Sequence, residues 1–387
     1  MSIEMLPRLK RGVTGLCAGA AFAALMLPGL GQAAEPVNIG ILFGLTGSAA
    51  VSCQESLNSV KLAVEEINKA GGVLGRPLEL KIEDNQSTNP GSVLAVSKLT
   101  GEGDIAALLG PIRSTQLQAI APTINKAGMP TMIGGSDYGL THANNQWYFR
   151  VRPHDGYSAR VIADYGVNTL QKKKWAIVYA TDSFGTGGKD RLTESLKAMG
   201  ITPVLAQGFT TNTQDFTPIV LAVKQSGADI IASYITSSND VGIFAKQLRQ
   251  LGMNVPWIGS SSISTGTAMK LAGDALYDTY SVADFVPASS PEAQVFTKKY
   301  QDQFKIEPDF FSTWAYDGVY IIANAIKTAN SIKPDAIRKA ILGVKGYKGV
   351  EGTYNFAPNG DGLHGYNVVK NDKGKIVFVK NVMFNPS

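Results

Sequence analysis

Cysteine is almost absent from this sequence. The 387 residues include two cysteines, Cys17 and Cys53. Cys17 lies in an N-terminal stretch that we expect to be removed, which leaves Cys53 alone and excludes an internal disulfide. An exported protein with a single cysteine depends on its hydrophobic core for stability.

Histidine is scarce, and the motifs of catalysis are missing. No two of the three histidines stand at a spacing typical of zinc ligands, and no serine has glycine at both second neighbours, as a nucleophile elbow requires. Residues 183–189, Ser-Phe-Gly-Thr-Gly-Gly-Lys, lack the first glycine of a phosphate-binding loop. We therefore predict no enzymatic activity, no metal site and no cofactor.

Long apolar runs are missing beyond the N-terminus. Arg8, Lys10 and Arg11 precede an apolar stretch over 13–27, and small residues with Pro28 follow it. This order is typical of a cleavable signal peptide, with an uncleaved anchor as the alternative. We expect residues 1–34 to be a signal peptide and the mature chain to begin near Ala34 or Glu35.

A strong charge of either sign is also missing. The formal net charge is +5. Three basic residues and one acid stand in the first 34 residues, so about three positive charges remain for the rest of the chain. One short lysine run at 172–174 is most simply a solvated turn, and we predict no nucleic-acid binding.

Strand and helix patterns alternate from Val37 onward. Apolar runs at 37–43, 78–82, 105–109, 129–133 and 147–151 alternate with amphipathic stretches, which predicts a parallel sheet with helices on both faces. A second series follows, with strands at 175–179, 229–233 and 255–258, and the length beyond residue 34 suits two lobes. Strands at 366–370 and 375–379, joined by Asn-Asp-Lys-Gly, predict a C-terminal hairpin. The predicted fold is α/β, with two doubly wound parallel-sheet lobes.

The stretch from Ile105 to Asp137 is the candidate binding segment. A buried strand at 105–109 leads through a turn to a helix over 115–126, and Ser114 stands where a helix N-cap belongs. The amides of residues 115–117 would then be unpaired, and such a helix start attracts anions. We predict that a small carboxylate binds here; an ordinary turn capped by serine is the alternative.

A set of ordered motifs resembles the leucine/isoleucine/valine-binding protein family. The motifs are Gly-Leu-Thr-Gly at 44–47, Ala-Val-Glu-Glu-Ile-Asn at 63–68, Gly-Gly-Val-Leu-Gly-Arg-Pro at 71–77 and Glu-Asp at 83–84. Further similarity lies at 110–111, 149–150, 179–185 and 316–318 and spans nearly all of the chain after residue 36. Members are periplasmic solute-binding components of ABC importers with the type I periplasmic-binding fold.

The family layout implies two lobes joined by a hinge of three chain crossings. We expect lobe 1 to comprise 37–151 plus 285–348, and lobe 2 to comprise 154–282 plus 352–387. The crossings would lie near 150–155, 281–287 and 347–354. The resemblance further implies a periplasmic location, an ABC permease as partner and, we expect, a monomer.

The resemblance also implies a set of ligand-binding residues. Ser114 matches a serine that holds the ligand carboxylate, Gly134 a residue whose carbonyl takes the ammonium, and Ser136 a threonine that contacts ligand. Phe184 and Phe311 match aromatic residues at the ligand, with plain core packing as their alternative. The full predicted set is Ser52, Ser114, Thr115, Gly134, Ser136, Asp137, Phe184, Thr236, Ser261 and Phe311.

One departure from the family pattern affects the ligand. The amino-acid binders carry a glutamate where this chain has Ser261, and neither Asp137 nor Asp240 matches the pattern as a substitute. An ammonium buried without a carboxylate would cost several kcal/mol. The ligand therefore stays open among amino acids, amine-free aromatic or keto acids, and amides. Arg113 replaces a loop cysteine of some relatives, and it either reinforces carboxylate binding or faces solvent.

These observations predict a periplasmic binding protein that captures a small carboxylate between two lobes and delivers it to a permease. A ligand-sensing receptor or regulator of the same fold is the first alternative. An exported hydrolase is the second, and it lacks a recognisable nucleophile and base.

Overall fold

The computed structural model describes residues 35–385, so the predicted signal peptide lies outside the described residues. The first lobe begins with a five-stranded parallel sheet in the order β2-β1-β3-β4-β5. Its strands β1 and β3 are buried along their whole length, as expected for a sheet covered on both faces. Its elements are β1 Val37–Phe43, α1 Ala50–Lys69, β2 Leu78–Asp84, α2 Asn89–Gly101, β3 Ile105–Leu109, α3 Ser114–Ala127, β4 Thr131–Ile133, α4 Gly139–His142 and β5 Tyr148–Arg150.

The second lobe continues the same alternation. A π-helical turn, Tyr165–Thr169, follows its first helix directly. Its elements are α5 Asp155–Asp164, β6 Trp175–Ala180, α6 Ser183–Ala198, β7 Leu205–Phe209, α7 Thr217–Gln225, β8 Ile230–Tyr234, α8 Ser238–Gln250, β9 Trp257–Gly259, α9 Gly266–Ala272 and β10 Tyr280–Ala283. Strand β10 was not predicted.

The C-terminal part of the chain, from residue 291, contributes elements to both lobes. Its elements are α10 Pro291–Phe304, α11 Phe310–Ala329, α12 Pro334–Leu342, β11 Tyr347–Lys348, β12 Thr353–Tyr354, β13 Gly365–Asp372 and β14 Lys375–Met383. Strands β13 and β14 form the predicted antiparallel hairpin, which pairs with β10. The second sheet has the order β14-β13-β10-β9-β8-β6-β7 and is therefore mixed.

Helix α11 shows how local sequence sets an element that supports the first lobe. Asp309 precedes it, and its Oδ1 accepts a hydrogen bond from the amide of Phe311 at 2.8 Å, which caps the helix start. Asn330 ends the helix in the left-handed conformation, with φ 48°. The buried face of α11 joins the core of the first sheet with residues of α1.

The chain crosses between lobes at three places. The first crossing follows β5 over 151–154, and the second follows β10 over 284–290. The third comes later than predicted: Tyr354, Phe356 and Leu363 belong to the core of the first lobe, whereas Tyr366 belongs to that of the second. Residues 360–362 also pair alongside β5. The chain therefore crosses near residue 364, and the remaining lobe bounds stay a prediction.

Direct contacts join the lobes on both sides of the space between them. Ser183 Oγ donates to Gln118 Oε1 at 2.6 Å, and the Ser183 amide donates to Thr115 Oγ1 at 3.2 Å. The Gly266 amide donates to Asp309 Oδ2 at 3.2 Å. Within residues 35–385, no helix combines the length and the hydropathy that a membrane span requires.

Candidate ligand-binding site

A cavity of about 520 Å³ lies between the two lobes. Most of its lining residues stand just after the ends of β1, β2, β3 and β4 on one side and of β6, β7, β8 and β9 on the other. The others are Arg152 in the first crossing, Thr267 and Leu271 of α9, and Phe310 and Phe311 of α11. The carboxyl ends of parallel strands form the usual ligand crevice of α/β sheets, because the loops there converge. The volume lies within the range of small-molecule sites.

Helix α3 points its N-terminus at this cavity. Ser114 is the first helical residue and Arg113 occupies the N-cap, so the predicted capping role of Ser114 is wrong. The Leu117 amide already donates to the Arg113 carbonyl at 3.1 Å. The amides that lack an intrahelical acceptor are consequently one position earlier than predicted, at 114–116.

Eight of the ten predicted site residues line the cavity. Ser114 and Thr115 present hydroxyls beside the α3 amides, and Phe184 and Phe311 contribute rings. Both rings also pack against the hydrophobic cores. Each ring therefore lines the cavity and also takes part in core packing, which was the alternative. The eight residues are Ser52, Ser114, Thr115, Ser136, Phe184, Thr236, Ser261 and Phe311.

Gly134 and Asp137 do not line the cavity. The Gly134 carbonyl, expected to face an ammonium, accepts a hydrogen bond from Arg152 Nη1 at 2.9 Å. A side chain at 134 would meet Trp314 at 3.0 Å, so close packing explains this glycine. Asp137 Oδ1 accepts from the Gly139 amide at 2.8 Å, and burial raises its pKa.

Asp182 is the only acid that lines the cavity among the described residues. Its Oδ1 accepts from the Gly185 amide at 2.9 Å and so caps α6. Its Oδ2 accepts from the Thr236 hydroxyl at 2.6 Å. Sequence reasoning missed this residue, although an aspartate directly before a glycine-containing helix start is a recognisable cap signal.

Two arginines line the cavity, and they differ in whether the guanidinium is paired with a protein group. Arg152 is buried and paired with Asp284, while its Nη2 donates to Ser261 Oγ at 3.1 Å. The guanidinium of Arg113 has no hydrogen bond or ion pair in the described part of the chain. Burial lowers the pKa of Arg113, although a guanidinium stays protonated at neutral pH.

The geometry of this cavity is that of a binding protein with two lobes, and comparison with known families agrees. A family model described as periplasmic binding protein matches residues 36–375. The chain belongs to the periplasmic binding protein family. The predicted family resemblance and type I fold are thus confirmed, and this binding protein is not an enzyme.

Relatives of this periplasmic binding protein cover nearly its whole length. The Leu/Ile/Val-binding protein homolog 3 of Brucella melitensis is 28% identical over 374 residues, which cover 94% of this chain and 98% of that protein. The isoleucine complex of LivJ from Streptococcus pneumoniae has a TM-score of 0.83 at 24% identity, covering 90% of this chain and 100% of that one. A solute-binding protein of R. palustris in complex with benzoate has a TM-score of 0.83 at 18% identity, covering 91% and 99%. The shared fold therefore accommodates ligands with and without an amine.

A histidine cluster lies away from the cavity of this periplasmic binding protein. His142, His154 and Asp361 bring ligand-type atoms within 4.8 Å of one another, an arrangement that their sequence spacing did not predict. Arg150 Nε donates to Asp361 Oδ1 at 2.8 Å. Burial and the Arg150 charge lower the pKa of His154 to about 3. The adjacent guanidinium opposes a second cation at this place, and His154 Nδ1 is buried without a hydrogen bond.

Proposed function

We propose that this chain captures a small organic carboxylate in the cavity between its lobes and delivers it to the permease of an ABC importer. The observation that carries the proposal is the N-terminus of α3 within the cavity, beside the hydroxyls of Ser114 and Thr115. Free amides and the helix dipole both favour an anion at this position.

The interlobe contacts support capture by closure. Ser183 binds Gln118 and Thr115 on one side of the cavity, and Gly266 binds Asp309 on the other. These bonds form only while the lobes touch, so they favour the state in which a ligand is enclosed. Micromolar binding requires about −8 kcal/mol, which charge-assisted hydrogen bonds and packed side chains can provide.

Transport and periplasmic location are supported by the family rather than by the cavity. The Brucella relative carries the name of a Leu/Ile/Val-binding protein homolog. The signal-like pattern of residues 1–34 agrees with export to the periplasm. A permease would recognise the closed state, in which the ligand is enclosed and the two lobes form a continuous surface.

Two measurements test the proposal. Calorimetry on the chain without residues 1–34 should detect a carboxylate that binds at micromolar concentration or below. Deletion of the gene should then abolish uptake of that compound by the cell. Failure of every carboxylate to bind would reject the binding claim, while binding with unchanged uptake would favour a sensor.

A further inference from the structure

Few ionisable residues line the cavity. Of the described residues that line it, three are ionisable: Arg113, Arg152 and Asp182. The remaining lining consists of hydroxyl, amide and apolar side chains. Direct contact with a charged ligand is therefore confined to these three groups and to backbone dipoles, while Asp240 acts from behind the wall with one oxygen that accepts no hydrogen bond.

Asp182 is poorly placed to receive an ammonium. Both of its carboxylate oxygens already accept hydrogen bonds, from the Gly185 amide and the Thr236 hydroxyl. The partial positive charge at the start of α6 lies against the same carboxylate. An ammonium would find only the lone pairs that these two donors leave, beside the positive end of the α6 dipole.

The guanidinium of Arg152 already binds two acceptors that a ligand ammonium would need. Its Nη1 donates to the Gly134 carbonyl at 2.9 Å and its Nη2 to Ser261 Oγ at 3.1 Å. Gly134 and Ser261 are the two positions that the family resemblance assigned to a ligand ammonium. In this chain a guanidinium of the protein, 4.1 Å from the Phe310 ring centroid, binds both. The charge of Arg152 is balanced by Asp284 and needs no ligand.

Arg113 supplies a positive charge that nothing balances at close range. No hydrogen bond or ion pair of its guanidinium occurs among residues 35–385, and the side chain is partly buried within the cavity wall. Asp182 and Asp240 act on it only through longer-range attraction. A partly desolvated guanidinium is a strong bidentate partner for a carboxylate.

We propose that the ligand is a carboxylate without an amine or other cationic group, and that Arg113 is the residue that selects it. This inference rests on the proposed function and narrows its ligand class. An amino acid would bring an ammonium into a cavity with two guanidiniums and one carboxylate that already caps α6 and binds Thr236. An amine-free acid brings the single negative charge that Arg113 and the α3 amides can bind.

Matched pairs of ligands test the ligand class. The pairs are leucine with 4-methylpentanoate and phenylalanine with 3-phenylpropanoate, and each pair differs only in the amine. 4-Methylpentanamide is added to test the carboxylate. Calorimetry should show that at least one acid binds roughly 100-fold or more tightly than its amino acid, because an uncompensated buried ammonium is expensive.

The possible outcomes separate this inference from the proposed function. Equal or tighter binding of the amino acids overturns the inference and leaves carboxylate capture intact. Binding of the amide alone, or of no carboxylate in either series, overturns both. Tight binding of an acid with weak binding of its amino acid and its amide supports both.

A charge-matched pair of variants tests the role of Arg113. Arg113→Gln should weaken binding of the acid by roughly tenfold or more and narrow its preference over the amino acid. Lys126→Gln removes the same charge from the exposed C-terminal end of the same helix and should leave both values unchanged. The ligand-free melting temperature of Arg113→Gln should equal that of the wild type, since the guanidinium has no protein partner. An unchanged dissociation constant in Arg113→Gln would remove Arg113 from the site.

Discussion

Arg152 and Asp284 form a buried ion pair that joins the first chain crossing to the second. The Arg152 side chain also reaches the cavity wall at Ser261, so the pair connects the hinge with the binding site. Asp284 leaves one carboxylate oxygen without a hydrogen bond. Arg152 is therefore its main source of compensation.

Breaking this pair should destabilise the protein strongly. Asp284→Asn leaves the Arg152 charge buried without its carboxylate, which typically costs about 3–5 kcal/mol. We expect a fall of this size in the free energy of unfolding, measured by urea denaturation. Asp302→Asn breaks the exposed pair with Lys298 and should cost less than about 1 kcal/mol. Equal effects of the two variants would show that the buried pair contributes little.

Removal of the Ser114 hydroxyl should weaken ligand binding. Ser114→Ala deletes a group beside the free amides of α3, and loss of one hydrogen bond corresponds to about 0.5–1.5 kcal/mol. A rise in the dissociation constant of roughly two- to tenfold should appear by calorimetry. The hydroxyl also accepts from the Asp137 amide at 3.2 Å, so a small loss of stability is expected as well. Ser97→Ala, on the exposed face of α2, should change neither value.

The interlobe bond of Gln118 should favour the closed state. Gln118→Ala removes the acceptor of the 2.6 Å bond from Ser183 and should shift the equilibrium toward open lobes. The dissociation rate of the ligand should rise by roughly two- to fivefold, while the melting temperature of the ligand-free protein stays the same. Stopped-flow fluorescence measures the rate. Gln250→Ala, exposed on α8, serves as the control, and identical rates in both variants would contradict a role in closure.

Asp155 should make stability depend on pH. Burial, followed by the Asp137 charge, raises its pKa to about 7, whereas the pKa of an unfolded aspartate is about 4. Between these values the folded state binds more protons than the unfolded state. Stability contributed by this group is therefore present at low pH and is lost as pH rises toward about 7, by up to about 1.4 kcal/mol per pH unit. Above that pH its contribution is constant.

Substitution of Asp155 should flatten this dependence. Asp155→Asn cannot ionise, so its free energy of unfolding should fall less than that of the wild type between about pH 5 and about pH 8. Urea denaturation at both pH values gives the comparison. Asp335→Asn, an exposed substitution, should keep the wild-type slope. Parallel pH curves for wild type and Asp155→Asn would assign the dependence to other groups.

Much of the fold could be predicted because its elements have strong local signals. Helix α11 begins after a capping aspartate, and the hairpin turn at 371–374 carries polar and glycine residues. The third crossing was misplaced because nothing local distinguishes Tyr354 or Phe356 from apolar residues of the other lobe. Only packing against the first sheet decides where those rings are buried.

In the site, too, local signals could be predicted from the sequence and long-range contacts could not. Residues that follow strand ends, such as Ser114, Thr236 and Ser261, gather in the cavity as a parallel topology requires. Arg152 was missed because it lies in a crossing segment and its partner, Asp284, is distant in sequence. The true N-cap of α3 was missed because a serine at 114 satisfies the capping pattern equally well from sequence.

The two arginines of the first crossing region have a mechanical consequence. Arg150 binds Asp361, just ahead of the third crossing, while Arg152 binds Asp284 at the start of the second. The first and second linkers are thus joined directly by a buried ion pair, and the segment that leads into the third linker is fixed to β5. A rotation of the lobes that separates the first two linkers would break the Arg152–Asp284 pair. Fluorescence resonance energy transfer between dyes on the two lobes should therefore show a narrower spread of distances in the wild type than in Asp284→Asn.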